Sequence, residues 1–310
     1  MTAWANDPPN ASAGEPAELS RDGLQLTGTV YGDANASAII LVHGFPDTAR
    51  SWDGVIPHLV AAGYQVLVPW LRGYTTGSAK RSARYNLMAV ADDIDAWRDS
   101  LGPKPVHLVG HDWGAIAAIV TTKRNAWQWQ SLSLLAVPPL DGRGMLCGLR
   151  HLPRQLVMSS YVWLMQSGIS PWVLGRRDAA LVRKIWRIWS PDWQFDGAEF
   201  EPTRVVFTDH ERAWAATRYY RSLFTLHRRA TREFLRWIVA APSPTPTLAL
   251  AGANDGCMNV SLHRALTDNA GVPAEQLPGC GHFLHAERPD AVAERLLTHI
   301  QATDVKRQNP

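Results

Sequence analysis

Apolar residues in this chain gather into short continuous runs, with longer stretches of helical spacing between them. Ala38-Ile39-Ile40-Leu41-Val42 has no polar interruption, the pattern of a strand buried on both faces of a parallel sheet. Tyr64–Val68, Val106–Val109, Leu132–Val137 and Thr247–Ala251 repeat it with few breaks. Leu24–Tyr31 instead alternates, as a strand with one solvated face should. Ser51–Ala62 reads as a helix. Leu87, Val90, Ile94, Trp97 and Leu101 recur at helical spacing, with Asn86 placed to cap that helix and Gly102-Pro103 to stop it. Ala291–Ile300 predicts a closing helix. Strands alternating with helices imply a mostly parallel sheet wound on both faces.

The texture changes after Pro138-Pro139. Residues 140–246 are rich in Trp, Arg, Leu and Tyr and show no strand pattern. Leu181, Val182, Ile185, Trp186 and Trp189 fall on one helical face, and Pro242-Ser243-Pro244-Thr245-Pro246 closes the block as a stiff linker. This predicts a helical lid, residues 140–246, inserted into a core domain of residues 19–139 and 247–310. Residues 1–18, rich in Pro, Ala, Asn, Ser and Glu, read as a loose tail. The lid's apolar side chains are expected to face the core and line a pocket, with its arginines in water.

One stretch organises the rest: Val106-His107-Leu108-Val109-Gly110-His111-Asp112-Trp113-Gly114-Ala115. A strand-type run passes through Gly-x-Asp-x-Gly into a small-residue helix, the spacing of a nucleophile elbow with Asp112 at its centre. Flanking glycines relieve a turn too tight for side chains two positions away, and the first helical turn offers free N–H groups to a carboxylate. Alone, the pentapeptide also fits an Asp that caps a helix. Two more polar residues follow predicted strands. Asp255, in Ala253-Asn254-Asp255-Gly256, also fits an ordinary turn, and His282, in Gly279-Cys280-Gly281-His282, an ordinary loop. Their order, nucleophile then acid then histidine, is that of one hydrolase architecture, and the carboxyl-end rim of an open parallel sheet is where ligands bind.

Composition removes other classes. A formal net charge of +3 with no basic tract interleaved with aromatics gives no ground for a nucleic-acid partner. Three cysteines, none in a Cys-x-x-Cys pair, fit a reduced cytoplasmic setting better than a disulfide framework. No apolar run reaches the roughly 18 residues of a membrane span, and membrane association is not expected. Neither a His-Glu-x-x-His spacing nor a Gly-x-x-x-x-Gly-Lys loop occurs, so no metal or other cofactor is expected. Monomer and homodimer both remain open.

Five segments together carry a resemblance: His43-Gly44-Phe45-Pro46, Trp70-Leu71-Arg72-Gly73-Tyr74, Gly110-His111-Asp112-Trp113-Gly114, Asp255-Gly256-Cys257 and Gly281-His282-Phe283. From about residue 20 to 302 the chain resembles the α/β-hydrolase fold and, within it, the epoxide hydrolases. The resemblance implies Asp112 as nucleophile, His282 as base and Asp255 as its partner. It implies an oxyanion hole from the backbone N–H groups of Phe45 and Trp113, whose side chains also meet substrate. Two lid tyrosines would bind the epoxide oxygen. Tyr161-Val162-Trp163-Leu164-Met165-Gln166 is similar to the first such segment and Arg218-Tyr219-Tyr220-Arg221 to the second, which points to Tyr161 and Tyr220, with Tyr219 a rival. Trp70 departs from the Asp usual in the wider fold. The implied reaction is hydrolysis of a small hydrophobic epoxide to a diol. Haloalkane dehalogenases share the Asp-His-Asp set and form the alternative; a binding protein on the same fold is a third reading.

Overall fold

The computed structural model describes residues 14–308. Strands β1 (Glu15–Arg21), β2 (Leu24–Tyr31), β3 (Ala38–Val42), β4 (Gln65–Pro69), β5 (Val106–His111), β6 (Leu132–Leu135), β7 (Thr247–Gly252) and β8 (Ala274–Leu277) form one sheet, in the order β1-β2-β4-β3-β5-β6-β7-β8. The pairs β1–β2 and β2–β4 are antiparallel and all others parallel. β3 sits between β4 and β5, so the winding reverses around it and opens a crevice at the carboxyl ends.

Burial explains the strand patterns. Every residue of β3, β4, β5 and β6 is buried. Ile40 and Val42 pack on one side of the sheet with Leu108, Trp113 and the lid, while Ile39 and Leu41 pack on the other with Val66, Val109, Leu250 and Leu296. β1 is different. It pairs only with β2, its side chains are exposed or half-buried, and it takes in Glu15–Glu18, which the sequence assigns to a loose tail. An edge strand that gives the core only the half-buried Ala17 and Leu19 lacks the apolar run that marks a central one. Residues 1–13 of that tail lie outside the described residues.

The helices of the core are α1 (Ile56–Ala61), α2 (Leu87–Ser100) and α3 (Trp113–Arg124), with three more after β7. The Ser51–Ala62 helix forms in two parts: a 3-10 turn at Ala49–Trp52, then α1, which opens with Pro57 in its first turn. α2 begins where expected, with the Asn86 side chain accepting from the Ala89 amide. Between β6 and β7 the insertion runs as α4 (Gly142–Cys147), α5 (Leu152–Met158), α6 (Tyr161–Gln166), α7 (Ser170–Trp189), α8 (Gly197–Thr208), α9 (His210–Leu223) and α10 (Arg229–Val239). Val182, Ile185, Trp186 and Trp189 of α7 are buried together with Phe45 and Phe283 of the core. The remaining helices are α11 (Val260–Ala270), α12 (Leu284–Glu287) and α13 (Pro289–Gln308).

Lys123, on α3, ties both stems of the insertion to the core. Its ammonium donates to Leu140 O at the outgoing stem (2.6 Å), and to Trp237 O (3.1 Å), Ile238 O (3.0 Å) and Ala240 O (2.8 Å) at the returning one.

Candidate active site

β5 delivers Asp112 to the rim. Asp112 has φ 47° and ψ −117°, a backbone that a side-chain-bearing residue adopts only under constraint. The constraint is visible at the flanking glycines. A Cβ on Gly110 would lie 2.6–2.7 Å from backbone atoms of Gly114 and Ala115, and one on Gly114 would strike the carbonyl oxygens of Val42 and His43. The Asp112 carboxylate is buried, with Oδ1 accepting from the Phe45 amide at 2.7 Å and Oδ2 3.8 Å from His282 Nε2. The carboxylate is thus already divided: one oxygen sits on a backbone donor, and the other faces the imidazole and the pocket. The Trp113 amide makes no hydrogen bond to Asp112 in this structure.

The loops after β7 and β8 bring in the other two groups. Asp255 Oδ2 lies 3.0 Å from His282 Nδ1, and Asp255 Oδ1 accepts from the amides of Cys257 (2.7 Å) and Met258 (2.8 Å). His282 is buried and its amide donates to Trp189 O at 3.0 Å. Burial alone would suppress charge on this imidazole, but Asp255 and Asp112 on its two sides outweigh it and raise the pKa to about 10. His282 is therefore an imidazolium at neutral pH while Asp112 is free.

The lid closes over Asp112 with aromatic rings. Tyr220, on α9, meets Trp113 at a centroid distance of 4.7 Å, Phe45 at 5.0 Å and Tyr161, on α6, at 5.7 Å. Its hydroxyl is buried, and the group it interacts with is the neighbouring Tyr161 phenol. The Tyr161 hydroxyl lies 3.8 Å from Cys257 Sγ. Burial first, and the Asp112 charge with it, pushes both phenols well above their ordinary pKa, so both keep their protons. Tyr219 points elsewhere: its hydroxyl donates to Arg72 O at 2.6 Å, and it is Tyr220 that faces the carboxylate's neighbours.

Some neighbours were not singled out from sequence. His111 Nε2 lies 3.1 Å from the carbonyl of His282, its Nδ1 lies 3.2 Å from Asp47 Oδ2, and Asp47 Oδ2 lies 3.4 Å from His285 Nε2. All three side chains are fully buried. Asp47 also accepts from the Thr48 amide (2.6 Å) and the Ser51 hydroxyl (3.0 Å), and against the cost of burial His111 and His285 hold its pKa well below the usual carboxylate range. The three are near enough to one another to hold a metal ion, yet here they bond to each other and brace the His282 carbonyl from behind. Two signals hinted at them: a histidine just before Asp112 and a second one three residues after His282. The Arg72-Gly73-Tyr74 segment proves structural. Arg72 is buried and forks onto Asp93 through Nε (2.7 Å) and Nη2 (2.5 Å), while Tyr74 packs edge-on against His43.

A strained carboxylate at a strand-to-helix elbow, an amide on one of its oxygens and a buried His–Asp pair facing the other are the parts of a hydrolase. Comparison with known proteins agrees. Residues 39–295 match the model of the Alpha/beta hydrolase family. The chain belongs to that family. Epoxide hydrolase A of Mycobacterium tuberculosis is 36% identical over 131 residues, 41% of this chain and 40% of that protein's length. The crystal structure of epoxide hydrolase A from Mycobacterium thermoresistibile superposes with a TM-score of 0.75 at 23% identity, covering 93% of this chain and 98% of the other. A loop variant of a haloalkane dehalogenase from Bradyrhizobium elkanii gives 0.76 at 18% identity, covering 95% and 99%. At such identities these two likenesses are of fold alone, and the match to the Mycobacterium tuberculosis enzyme spans about two fifths of its length.

Proposed function

We propose that this α/β hydrolase is an epoxide hydrolase. Asp112 Oδ2 attacks an epoxide carbon while Oδ1 stays on the Phe45 amide, and the C–O bond of the ring opens. Tyr161 and Tyr220 donate to the oxygen that leaves the carbon; as phenols that keep their protons, they can supply them to a developing alkoxide. An aspartate needs no base to be a nucleophile, so His282 is free for the second step. Once Asp112 is an ester its charge is gone, and so is one of the two reasons for the raised pKa of His282. The imidazolium gives up its Nε2 proton, which replaces the one the tyrosines passed to the alkoxide; it keeps Nδ1–H on Asp255, and Nε2 then takes a proton from the water that attacks the ester carbonyl, which restores the imidazolium. Negative charge then gathers on Oδ1, beside the Phe45 amide, with the Trp113 amide the second donor within this reading. The diol leaves and the carboxylate returns.

The single observation carrying this reading is the phenol pair of Tyr161 and Tyr220, with the Tyr220 hydroxyl buried beside Trp113 and Phe45. The 36% identity to an epoxide hydrolase supports it. The Trp113 indole N–H, buried and unbonded, favours a second reading, dehalogenation, because such a donor suits a departing halide. Turnover of a styrene-type epoxide and of a bromoalkane, scored for diol and for halide, tests both. Diol formation with little halide is expected; halide release without diol would replace the first reading by the second.

A further inference from the structure

The lid's apolar residues do not all face the pocket. Leu146 of α4 is 69% exposed, Val157 of α5 74%, Trp163 of α6 69% and Trp172 of α7 56%. Phe224, 54% exposed, packs against Trp163 at a centroid distance of 6.0 Å, and Leu226 beside it is 58% exposed. These side chains lie along two segments, 142–172 and 224–232, which the Trp163–Phe224 contact joins. An apolar strip of this kind on a water-facing surface marks a docking site rather than scattered surface residues.

Charge decides what covers it. Segment 142–172 contains Arg143, Arg150 and Arg154, and segment 224–232 contains Arg228, Arg229 and Arg232; neither contains a single Asp or Glu. All six arginines are exposed. The lid's ion pairs are made elsewhere, by Arg204 with Asp178 and Glu201 and by Arg212 with Asp209. Residues 140–246 as a whole hold 16 Arg and Lys against 9 Asp and Glu, whereas the rest of the chain holds 15 against 19. A second copy docked face to face would bring six unpaired arginines against six others, a like-charge arrangement that works against association. An anionic bilayer supplies both what the arginines lack and what the indoles and aliphatic chains favour: headgroup charge at the rim and acyl chains at the centre.

We propose that this face of the lid docks peripherally on an anionic phospholipid bilayer, with Trp163, Val157 and Leu146 entering the interface and the arginines on the headgroups. The proposal stands apart from the catalytic reading and does not require it. No helix among the described residues is long and apolar enough to cross a membrane, so the attachment is superficial and salt-sensitive.

The full chain should co-sediment with vesicles of phosphatidylcholine and phosphatidylserine (7:3), and at least tenfold less with phosphatidylcholine alone or in 0.5 M NaCl. Arg150→Glu/Arg154→Glu/Arg228→Glu and, separately, Val157→Ser/Trp163→Ser should each lower the affinity at least tenfold, while circular dichroism melting stays as in the parent because all five side chains are exposed. Equal binding to neutral and anionic vesicles, or binding that neither variant weakens, would overturn the proposal. So would sedimentation velocity showing a vesicle-free dimer that Val157→Ser/Trp163→Ser dissociates, since the face would then belong to a second copy.

Discussion

Replacing Asp112 with Asn removes the charge facing His282 while keeping the side chain's shape, and so imitates the neutral ester. Asp112 Oδ2 stands 3.8 Å from His282 Nε2. Taking an effective dielectric of about 20, a unit charge at that separation is worth about 4 kcal/mol, or about 3 pKa units. The imidazole, at about 10 in the parent, should therefore titrate near about 7 in Asp112→Asn, where a general base at neutral pH is most effective. The assay is a pH titration of imidazole resonances by NMR, with His282→Gln assigning the signal. Intact mass should accompany it, because a water activated at the site can hydrolyse the introduced amide back to the carboxylate, adding about one dalton. A shift below half a unit would refute the reasoning, since Asp255 alone would then account for the raised value. The pairing also has a stability signature. A histidine whose pKa rises from 6.5 to about 10 on folding stabilises the fold fully below pH 6.5, and that contribution is lost as pH rises through 10. The parent should therefore lose more stability between pH 7 and 10 than Asp112→Asn, as read by urea unfolding.

His282→Gln should open the ring but not release product, so intact mass after mixing with epoxide should show protein heavier by one substrate; absence of both adduct and burst would remove His282 as a base confined to hydrolysis. Tyr161→Phe and Tyr220→Phe should each slow alkylation by an epoxide by about 2–4 kcal/mol, by analogy with loss of an oxyanion donor. In stopped-flow rates the pair together should spare reaction with a bromoalkane, whose leaving group needs no proton; equal losses on both substrates would mean the rings only shape the pocket. Arg72→Ala leaves the buried Asp93 carboxylate only the more distant Arg21 (3.4 Å) and should cost about 3–5 kcal/mol in urea unfolding, with little change in chemistry once folded. Lys123→Met leaves the stem carbonyls of Leu140, Ile238 and Ala240 without their shared donor, so it should cost about 1–3 kcal/mol and raise hydrogen exchange at both stems ahead of the rest of the core.

How far the sequence could be read depends on whether a feature is local. The elbow is local: Gly110 and Gly114 are needed because backbone atoms a few residues away, and the end of β3, come within touching distance of where their side chains would be. Central strands are equally plain, because burial on both faces demands unbroken apolar runs. β1 was hidden because one of its faces is in water and the other offers the core only Ala17 and Leu19, both half-buried, too short an alternation to mark a strand. The roles of Tyr219 and Tyr220 could not be separated either, since adjacent positions on a helix differ by about 100° and only the packed lid decides which points at Trp113.

The harder cases are those in which a residue's meaning comes from distant partners. Asp47, His111 and His285 stand in three separate segments of the sequence, yet they meet, fully buried, behind His282. Each has a credible local role in its own segment, and their joint role exists only once the ends of β3 and β5 and the start of α12 are side by side. The lid face fails for the opposite reason. Helical spacing tells which side chains share a face, but not whether the core has room to cover that face. In α7 it does, and Val182, Ile185, Trp186 and Trp189 are buried as the pattern implies. In α5 and α6 it does not: α6 turns Tyr161 toward Trp189 and Tyr220 and buries Met165, which leaves Trp163 on the opposite side facing water. The same short helix thus turns one aromatic residue inward and another to the surface, which is why the composition of this lid could be read as pocket lining.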